Sequence, residues 1–360
     1  MAYGLIQSSN ENEELEDIGF RYIQELASRS FIGFRYIQEL ASRSFFQDIE
    51  YEFGGILVVF KMHDLMHDLA LSLMQNECAI ITSTTKRFSK NIRHLLFSND
   101  NSLPKDFPTI LQTVNQVRTI RFLNEEKGIN SKSILNPNVF RFRFLQTLEL
   151  SNLNLELQVE KIGNLKHLRF LHLHGNAKSI KVHNSICKLQ NLQTLMICKG
   201  IEELPTDIRY LISLRFLLIT TKEKRLSNNG IGCLKSLRFL LIGRSANLEF
   251  LFEDMQGLNQ LRCLVINECE SLISLPQGMK YLVALKTLCI SDCENLDLAT
   301  EEGKINGEGL RLEKLILKEL PKLVNIPYWL LQGSKYTLQL LHLKASVYVW
   351  QFMQSLRKCL

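Results

Sequence analysis

The sequence lacks the patterns that mark secreted, disulfide-bonded or membrane-spanning proteins. Its nine cysteines are an odd number with no C-x-x-C pair, and the 360 residues contain no N-x-S/T sequon. The longest apolar runs are short, such as Ile56 to Phe60, whereas a membrane-spanning helix needs about 20 residues. The first residues also lack the basic start and apolar core of a signal peptide. We therefore predict a soluble, intracellular protein with reduced cysteines, located in the cytoplasm, with the nucleus as an alternative.

Enzymatic and nucleic-acid functions are also disfavoured by what is missing. The net charge of +6, from 43 basic and 37 acidic residues, is a mild excess that does not by itself imply a nucleic-acid partner. The phosphate-cradling loop G-x-x-x-x-G-K-[ST] does not occur. The segment His63-Asp64-x-x-His67 imitates the zinc motif H-E-x-x-H, but Asp replaces the catalytic Glu and no third ligand is suggested. We predict neither a catalytic site nor a metal site.

One apolar pattern, Leu-x-x-Leu-x-Leu/Ile, recurs nine times in the last two-thirds of the chain. Successive copies start 22 to 27 residues apart, and two weaker copies precede them at Ile92 and Val117. This motif and period are typical of a leucine-rich repeat, in which stacked repeats share one core and form a curved parallel sheet. We predict an α/β fold class, with a horseshoe of nine to eleven repeats over residues 86–360. The nine copies start at Leu145, Leu168, Leu192, Leu214, Leu237, Leu261, Leu285, Leu312 and Leu338.

Residues 1–85 are predicted to form a small winged-helix-like subdomain. The segment 45–62 contains Gly54-Gly55 between two runs of strand-forming residues, which indicates a β-hairpin. A helix should follow at 64–76 with Asp64 as its N-cap. The 14 residues at 18–31 are repeated unchanged at 32–45. We interpret this repetition as a tandem duplication or a gene-model error, with a functional extension of a helix as the alternative.

A known family is suggested by the segment KMHDLMHDLA at 61–70, which follows the hairpin and ELASRSFFQ. It resembles the end of the nucleotide-binding (NB-ARC) region of plant intracellular immune receptors, the coiled-coil NB-LRR class. The resemblance covers roughly residues 1–85 as the winged-helix subdomain and 90–360 as the repeats. By this resemblance Met62, His63 and Asp64 carry the Met-His-Asp motif, and His63 would point at the β-phosphate of ADP.

The resemblance implies a disease-resistance protein that acts in plant defence. Its repeats would recognise a pathogen effector or a guarded host protein and would dock on the nucleotide-binding switch region. The family binds ADP or ATP through a nucleotide-binding domain that is absent from these residues, so we predict no cofactor for this chain alone. The alternative is a non-signalling repeat adaptor or a relic fragment that binds proteins without nucleotide.

The second residue of each motif predicts where a partner would bind. Stacking should align Arg215, Arg238, Arg262 and Lys286 into a basic column on the concave face of the sheet. Aromatic residues lie next to them in the sequence, and Leu218, Leu241, Val265 and Ile316 alternate further along, so that face should expose many apolar groups. The alternative is that the arginines are solvated and the phenylalanines pack laterally between repeats. The predicted protein-binding residues are Arg169, Phe170, Arg215, Phe216, Arg238, Phe239 and Arg262.

Three residues fall at the Asn/Cys position of the repeat consensus, three residues after the last strand leucine or isoleucine. They are Asn176, Cys269 and Cys293. Side chains at this position normally satisfy backbone groups in the turn. We therefore interpret both cysteines as structural rather than reactive.

Overall fold

The computed structural model divides the chain into two compact units, Met1–Cys78 and Ala79–Leu360. The domain boundary predicted after residue 85 lies C-terminal to this division. The first copy of the duplicated segment, all of the second copy except its last residue, and the Gly54-Gly55 turn lie outside the described residues. The structure describes residues 45–52, 57–74, 76–82, 85, 89–97, 111–122, 139–153, 159–175, 180–198, 201–205, 207–228, 230–298 and 309–344.

A hairpin and one helix make up the described part of the first unit. Strand β1 is Phe46–Glu52, and it pairs antiparallel with strand β2, Leu57–Met62. Helix α1 follows at Asp64–Met74. The predicted hairpin and helix are therefore present, although α1 ends two residues before the predicted end at 76.

Twelve strands form the sheet of the second unit, in an order that follows the chain from one edge to the other. Every described pair from β4 to β16 is parallel. The strands are β3 (Cys78–Ile81), β4 (His94–Phe97), β5 (Thr119–Phe122), β6 (Thr147–Leu153), β7 (Phe170–Gly175), β9 (Thr194–Cys198), β11 (Phe216–Ile219), β12 (Phe239–Gly243), β13 (Cys263–Asn267), β14 (Thr287–Ser291), β15 (Lys314–Lys318) and β16 (Leu340–Lys344). The short strands β8 (Ile180–Lys181) and β10 (Ile201–Glu203) pair separately, in parallel.

Each of the nine motif copies supplies one strand of the large sheet, and so do the two weaker copies. The predicted solenoid of parallel strands is thus confirmed. Strand β3 lacks the motif and was not predicted, although Ile81 within it is almost completely buried.

The core consists of the first, fourth and sixth residues of the motif. In the repeat that begins at Leu261, these are Leu261, Leu264 and Ile266, and all three are completely buried. The register sets Leu264 beside Leu240 on one side and Leu288 on the other. Burying a leucine side chain is worth about 1.5–3 kcal/mol, and each leucine here is covered mainly by its counterparts in the adjacent repeats. The core is therefore continuous along the stack.

Short 3-10 turns, rather than α-helices, follow most of the strands before the next motif begins. Repeats of this length leave few residues for the return path, and 3-10 turns are the tight form used in short pieces. They occur at Val159–Asn164, Asn184–Lys188, Ile208–Tyr210, Ile231–Cys233, Asp254–Gly257 and Gln277–Tyr281. A single α-helical turn, α2, spans Tyr328–Leu331.

Close stacking of these turns depends on glycine at Gly257. A Cβ at this position would collide with the backbone carbonyl oxygen of Gly232 in the preceding repeat. At Gly230, in contrast, a Cβ would meet Ile208 at an ordinary distance of 3.4 Å. The two glycines therefore differ in how much room they leave for a methyl group.

We expect Gly257→Ala to lower the free energy of unfolding by about 1–3 kcal/mol, because the added methyl overpacks the contact between adjacent turns. Gly230→Ala, the matched control, should lower it by less, because the added methyl meets Ile208 at an ordinary distance of 3.4 Å. Urea denaturation followed by far-UV circular dichroism measures both. Equal effects of the two substitutions would contradict the close stacking.

Candidate functional site

His63 lies at the start of helix α1 and acts as its N-cap. Its Nδ1 accepts a hydrogen bond of 3.4 Å from the backbone N–H of Leu65. Its own backbone N–H donates to the carbonyl of Phe45 at 2.9 Å. Asp64 is the first residue of the helix, where it accepts a hydrogen bond of 3.2 Å from Gln47. The prediction that Asp64 is the N-cap is wrong by one residue, because the imidazole caps the helix instead.

The side chains of the Met-His-Asp segment do not by themselves form a binding site for a nucleoside diphosphate such as ADP. The described donors there are one half-exposed imidazole and the amides of the first helical turn. The Nδ1 of His63 is engaged as an acceptor, and the exposed carboxylate of Asp64 stands beside it. A carboxylate next to a diphosphate is electrostatically unfavourable. We therefore derive no nucleotide chemistry from Met62, His63 and Asp64 alone.

The second residues of successive motifs do form a column across the sheet. The N–H of Arg238 donates to the carbonyl of Arg215 at 2.8 Å, and the N–H of Arg262 donates to the carbonyl of Arg238 at 2.8 Å. Arg169 belongs to the same column but is separated from Arg215 by Gln193. All three arginines of the continuous stretch have exposed side chains. We name Arg215, Arg238 and Arg262 the arginine column.

The arginine column carries uncompensated charge. Within the part of the chain that the structure describes, none of its guanidinium groups makes an ion pair or a side-chain hydrogen bond. The next residue of the column, Lys286, is instead paired with Glu313 one repeat further on. Adjacent strands of a sheet lie about 4.8 Å apart, so the backbones hold three like charges close together.

Two phenylalanines beside the column, Phe216 and Phe239, are buried, although the sequence analysis predicts that they are exposed. The rings of Phe216 and Phe239 stack with centroids 4.5 Å apart and an interplanar angle of 13°. Their exposed fractions are only 6% and 4%, and Val265 and Ile316 are completely buried. The expectation of an apolar, exposed sheet face is therefore wrong at these positions and also at Leu241.

Stacking within the sheet explains this difference, because parallel register sets Phe216 directly beside Phe239. The alternative interpretation, lateral packing of the phenylalanines, describes them correctly. Phe170 is half-buried and pairs with Thr194 rather than with another aromatic residue. The exposed groups that remain for a partner are thus mainly the arginines. The assignment of Arg169, Phe170, Arg215, Phe216, Arg238, Phe239 and Arg262 to protein binding stays a prediction.

A buried charged cluster at the fifth motif position was missed by the sequence analysis. Glu149 accepts a hydrogen bond of 2.9 Å from Nε of Arg121, and its other oxygen lies 3.5 Å from Nδ1 of His172. Glu149 and His172 are both buried. The residues are more than 20 positions apart in the chain, but they occupy equivalent places in adjacent strands. The sequence did contain a signal for this cluster. Charged residues occupy a motif position that is apolar in most other repeats.

The cluster favours the charged form of His172. Burial alone would lower its pKa, but hydrogen bonds with Cys198 and Glu149 outweigh burial and raise the pKa to about 9. For Glu149, burial raises the pKa, yet the hydrogen bonds from His172 and Arg121 leave it below its ordinary value. Buried groups held in opposite charge states stabilise each other.

The two consensus cysteines point into the turns and are completely buried. The thiol of Cys269 lies 3.9 Å from the carbonyl oxygen of Ile242, and that of Cys293 lies 3.3 Å from the carbonyl oxygen of Ser291. A hydrogen bond with Cys269, together with burial, raises the pKa of Cys293. These contacts support a structural role. Asn176, the third residue of this set, lies outside the described residues.

The architecture agrees with comparisons to known protein families. A family model described as "Leucine-rich repeat region" matches residues 116–356, about two-thirds of the chain. The chain belongs to the leucine-rich repeat family. A second model, "Disease resistance protein Winged helix domain", matches residues 32–70, which begins at the second copy of the duplicated segment.

The relatives of this leucine-rich repeat protein include plant proteins named for disease resistance and for disease susceptibility. It is 35% identical over 176 residues to "Putative disease resistance protein RGA1" of Solanum bulbocastanum, covering 49% of this chain and 13% of that protein. It is 28% identical over 180 residues to "Disease susceptibility protein LOV1" of Arabidopsis thaliana, covering 48% of this chain and 18% of that protein. The matched part is thus less than a fifth of either relative's length.

Among solved structures, the Leptospira interrogans LRR protein LIC12759 is similar at 22% identity with a TM-score of 0.43. The match covers 72% of this chain and 62% of that one. Among the described residues, no helix is both long and apolar enough to cross a membrane. In the same part of the chain, no group of three or more His, Cys, Asp or Glu side chains is placed to hold a metal ion.

The raised pKa of His172 predicts how stability depends on pH. The folded pKa of about 9 exceeds the unfolded value of 6.5, so the stabilisation is complete below pH 6.5 and is lost as the pH rises through 9. We expect the free energy of unfolding to fall by about 1–3 kcal/mol over this window. His172→Gln should remove this fall, whereas the exposed control His167→Gln should keep it. Urea titrations at pH 6 and pH 8.5 measure it, because above that range the buried thiols of Cys187, Cys263 and Cys289, whose pKa values are raised, add a pH dependence of their own. The same slope in both variants would contradict the assignment.

Proposed function

We propose that this chain is the recognition part of a plant intracellular immune receptor. Its repeats bind a pathogen effector or a guarded host protein and dock on the nucleotide-binding switch region of such a receptor. The observation that carries this proposal is the exposed arginine column, set on a rigid sheet. The match to plant disease resistance proteins supports it. The proposed location is the cytoplasm or the nucleus, and the proposed role needs no catalysis and no cofactor bound by this chain alone.

The sheet is suited to recognition because its backbone fixes the exposed side chains. Each arginine of the column is held at its Cα by hydrogen bonds to both adjacent strands. A partner therefore orders only the outer side-chain atoms, which keeps the entropic cost of binding low. Binding can control a switch only if the partner has different affinity for the two states of the receptor. The affinities would differ if the partner and the nucleotide-binding region compete for the same contacts on the repeats.

A second candidate function is a repeat adaptor that binds proteins without nucleotide. The geometry at His63 favours it, since one capped imidazole beside the carboxylate of Asp64 makes a poor phosphate site. The two candidates differ in whether the repeats bind a nucleotide-binding domain. Both use the same exposed column to contact a protein.

The experiment fuses a biotin ligase to the 360-residue chain and expresses it in leaf cells. We expect a set of neighbouring proteins to be labelled, and we expect Arg215→Glu, Arg238→Glu and Arg262→Glu together to reduce their labelling at least about fivefold, because close charge pairs at an interface are lost. If the proteins that lose their labelling include a nucleotide-binding receptor protein, the immune-receptor function is favoured over the adaptor function.

The control changes the same charge elsewhere. Lys161, Lys188 and Arg209 are exposed residues in or beside the 3-10 turns of three consecutive repeats. Their replacement by Glu should leave the labelled set unchanged, and circular dichroism should show that both triple variants are folded. If labelling is the same for the wild type and for both variants, the column does not contact the partner and the proposal is wrong.

A further inference from the structure

Several charged residues in adjacent repeats of this protein are paired with a residue of the opposite sign. Besides the His172–Glu149 contact, five ion pairs between described residues each join one repeat to the next. Such pairs stabilise a stack only modestly, but they avoid placing like charges side by side. They are Arg121–Glu149 at 2.9 Å, Lys224–Glu249 at 3.0 Å, Arg244–Glu268 at 3.5 Å, Lys344–Glu319 at 2.9 Å, and Lys286–Glu313.

The arginine column departs from this arrangement. Its three residues follow one another in consecutive repeats with the same sign, and their backbones are joined directly by hydrogen bonds of 2.8 Å. The flanking residue on one side is the neutral Gln193. On the other side, Lys286 has its own carboxylate partner in Glu313. A row of unpaired guanidinium groups is the complement of a row of carboxylates.

We propose that the arginine column binds an acidic α-helix of a partner protein, lying across the N-terminal ends of strands β11, β12 and β13. This inference rests on the proposed function, because it names the chemistry of the partner at the same surface. The guanidinium groups of the column pair with carboxylates on one face of that helix.

The spacing of the column suits a helix better than an extended strand. Two steps between adjacent strands cover about 9.6 Å. Carboxylates at positions i, i+4 and i+7 of an α-helix lie on one face and cover about 10.5 Å along its axis. Three same-face residues of an extended chain would cover about 13 Å. The flexible arginine side chains can absorb the small difference for the helix.

One feature disfavours a nucleic acid at this surface. Single strands bind by stacking bases on exposed aromatic rings, whereas the adjacent Phe216 and Phe239 are buried against each other.

The test uses the purified 360-residue chain and a fluorescein-labelled helical peptide of alanine and glutamine, with Glu at i, i+4, i+7 and i+11. Fluorescence anisotropy at low ionic strength measures its dissociation constant. We expect the triple variant Arg215→Gln, Arg238→Gln, Arg262→Gln to weaken binding at least about tenfold. The control variant Lys161→Gln, Lys188→Gln, Arg209→Gln should change it less than about twofold. A peptide with the same four Glu residues spread around the helix should bind more weakly.

Several results would overturn the proposal. They are no binding of the peptide by the wild type, equal weakening by both triple variants, or equal binding of the two peptides. Tighter binding of a single-stranded oligonucleotide of equal charge through the same arginines would identify a polyanion site instead. If the peptide does not bind but labelling in leaf cells still requires the column, the acidic helix is wrong and the proposed function stands. If the peptide binds through the column and labelling does not require it, the proposed function is the one that fails.

Discussion

One backbone interaction sets the geometry of the repeat unit. At the second position of the motif, a single carbonyl accepts two N–H groups from the next repeat, as when the carbonyl of Arg215 accepts from Arg238 at 2.8 Å and from Phe239 at 3.0 Å. The same pair of bonds recurs along the sheet, for example at Gln193 and at Arg262. Because this bifurcated contact fixes both the spacing and the register of adjacent strands, equivalent motif positions of successive repeats lie side by side in a continuous column. The leucine core and the surface chemistry both depend on it.

The columns then differ by what surrounds them. Columns one, four and six bury leucine and isoleucine between neighbours, and column five places Glu149 against Arg121 and His172. Column two contains no buried side chain, because its members are all exposed or half-exposed. Charge in a buried column must be paired, since an unpaired buried charge is costly, whereas charge in column two is free of that requirement. The core therefore does not require the three residues of the arginine column to be arginine.

The sequence predicted the repeats, the hairpin and the helix well, because each is encoded by residues close together in the chain. Leu261, Leu264 and Ile266 signal a strand without reference to any other repeat. The failures involve neighbours in space. Burial of Phe216 requires Phe239 to stand beside it, and the Glu149–His172 contact requires knowledge of lateral register. The N-cap shifted from Asp64 to His63 because side chains of either type can accept from the first turn. Strand β3 has no motif of its own and is held by its place at the edge of the sheet.

The exposed second position has a consequence for how such a surface changes over generations. Its contribution to the fold comes mainly from backbone atoms, which every residue other than proline supplies in full. In this chain the second motif position already holds glutamine, arginine, lysine and glutamate in different repeats, and the backbone hydrogen bonds between strands are the same in each case. The side-chain chemistry of the surface and the folding of the stack thus depend on different atoms of the same residue. Substitutions can therefore accumulate at the second position one repeat at a time, and can even reverse its charge, while the backbone hydrogen bonds and the leucine core stay unchanged.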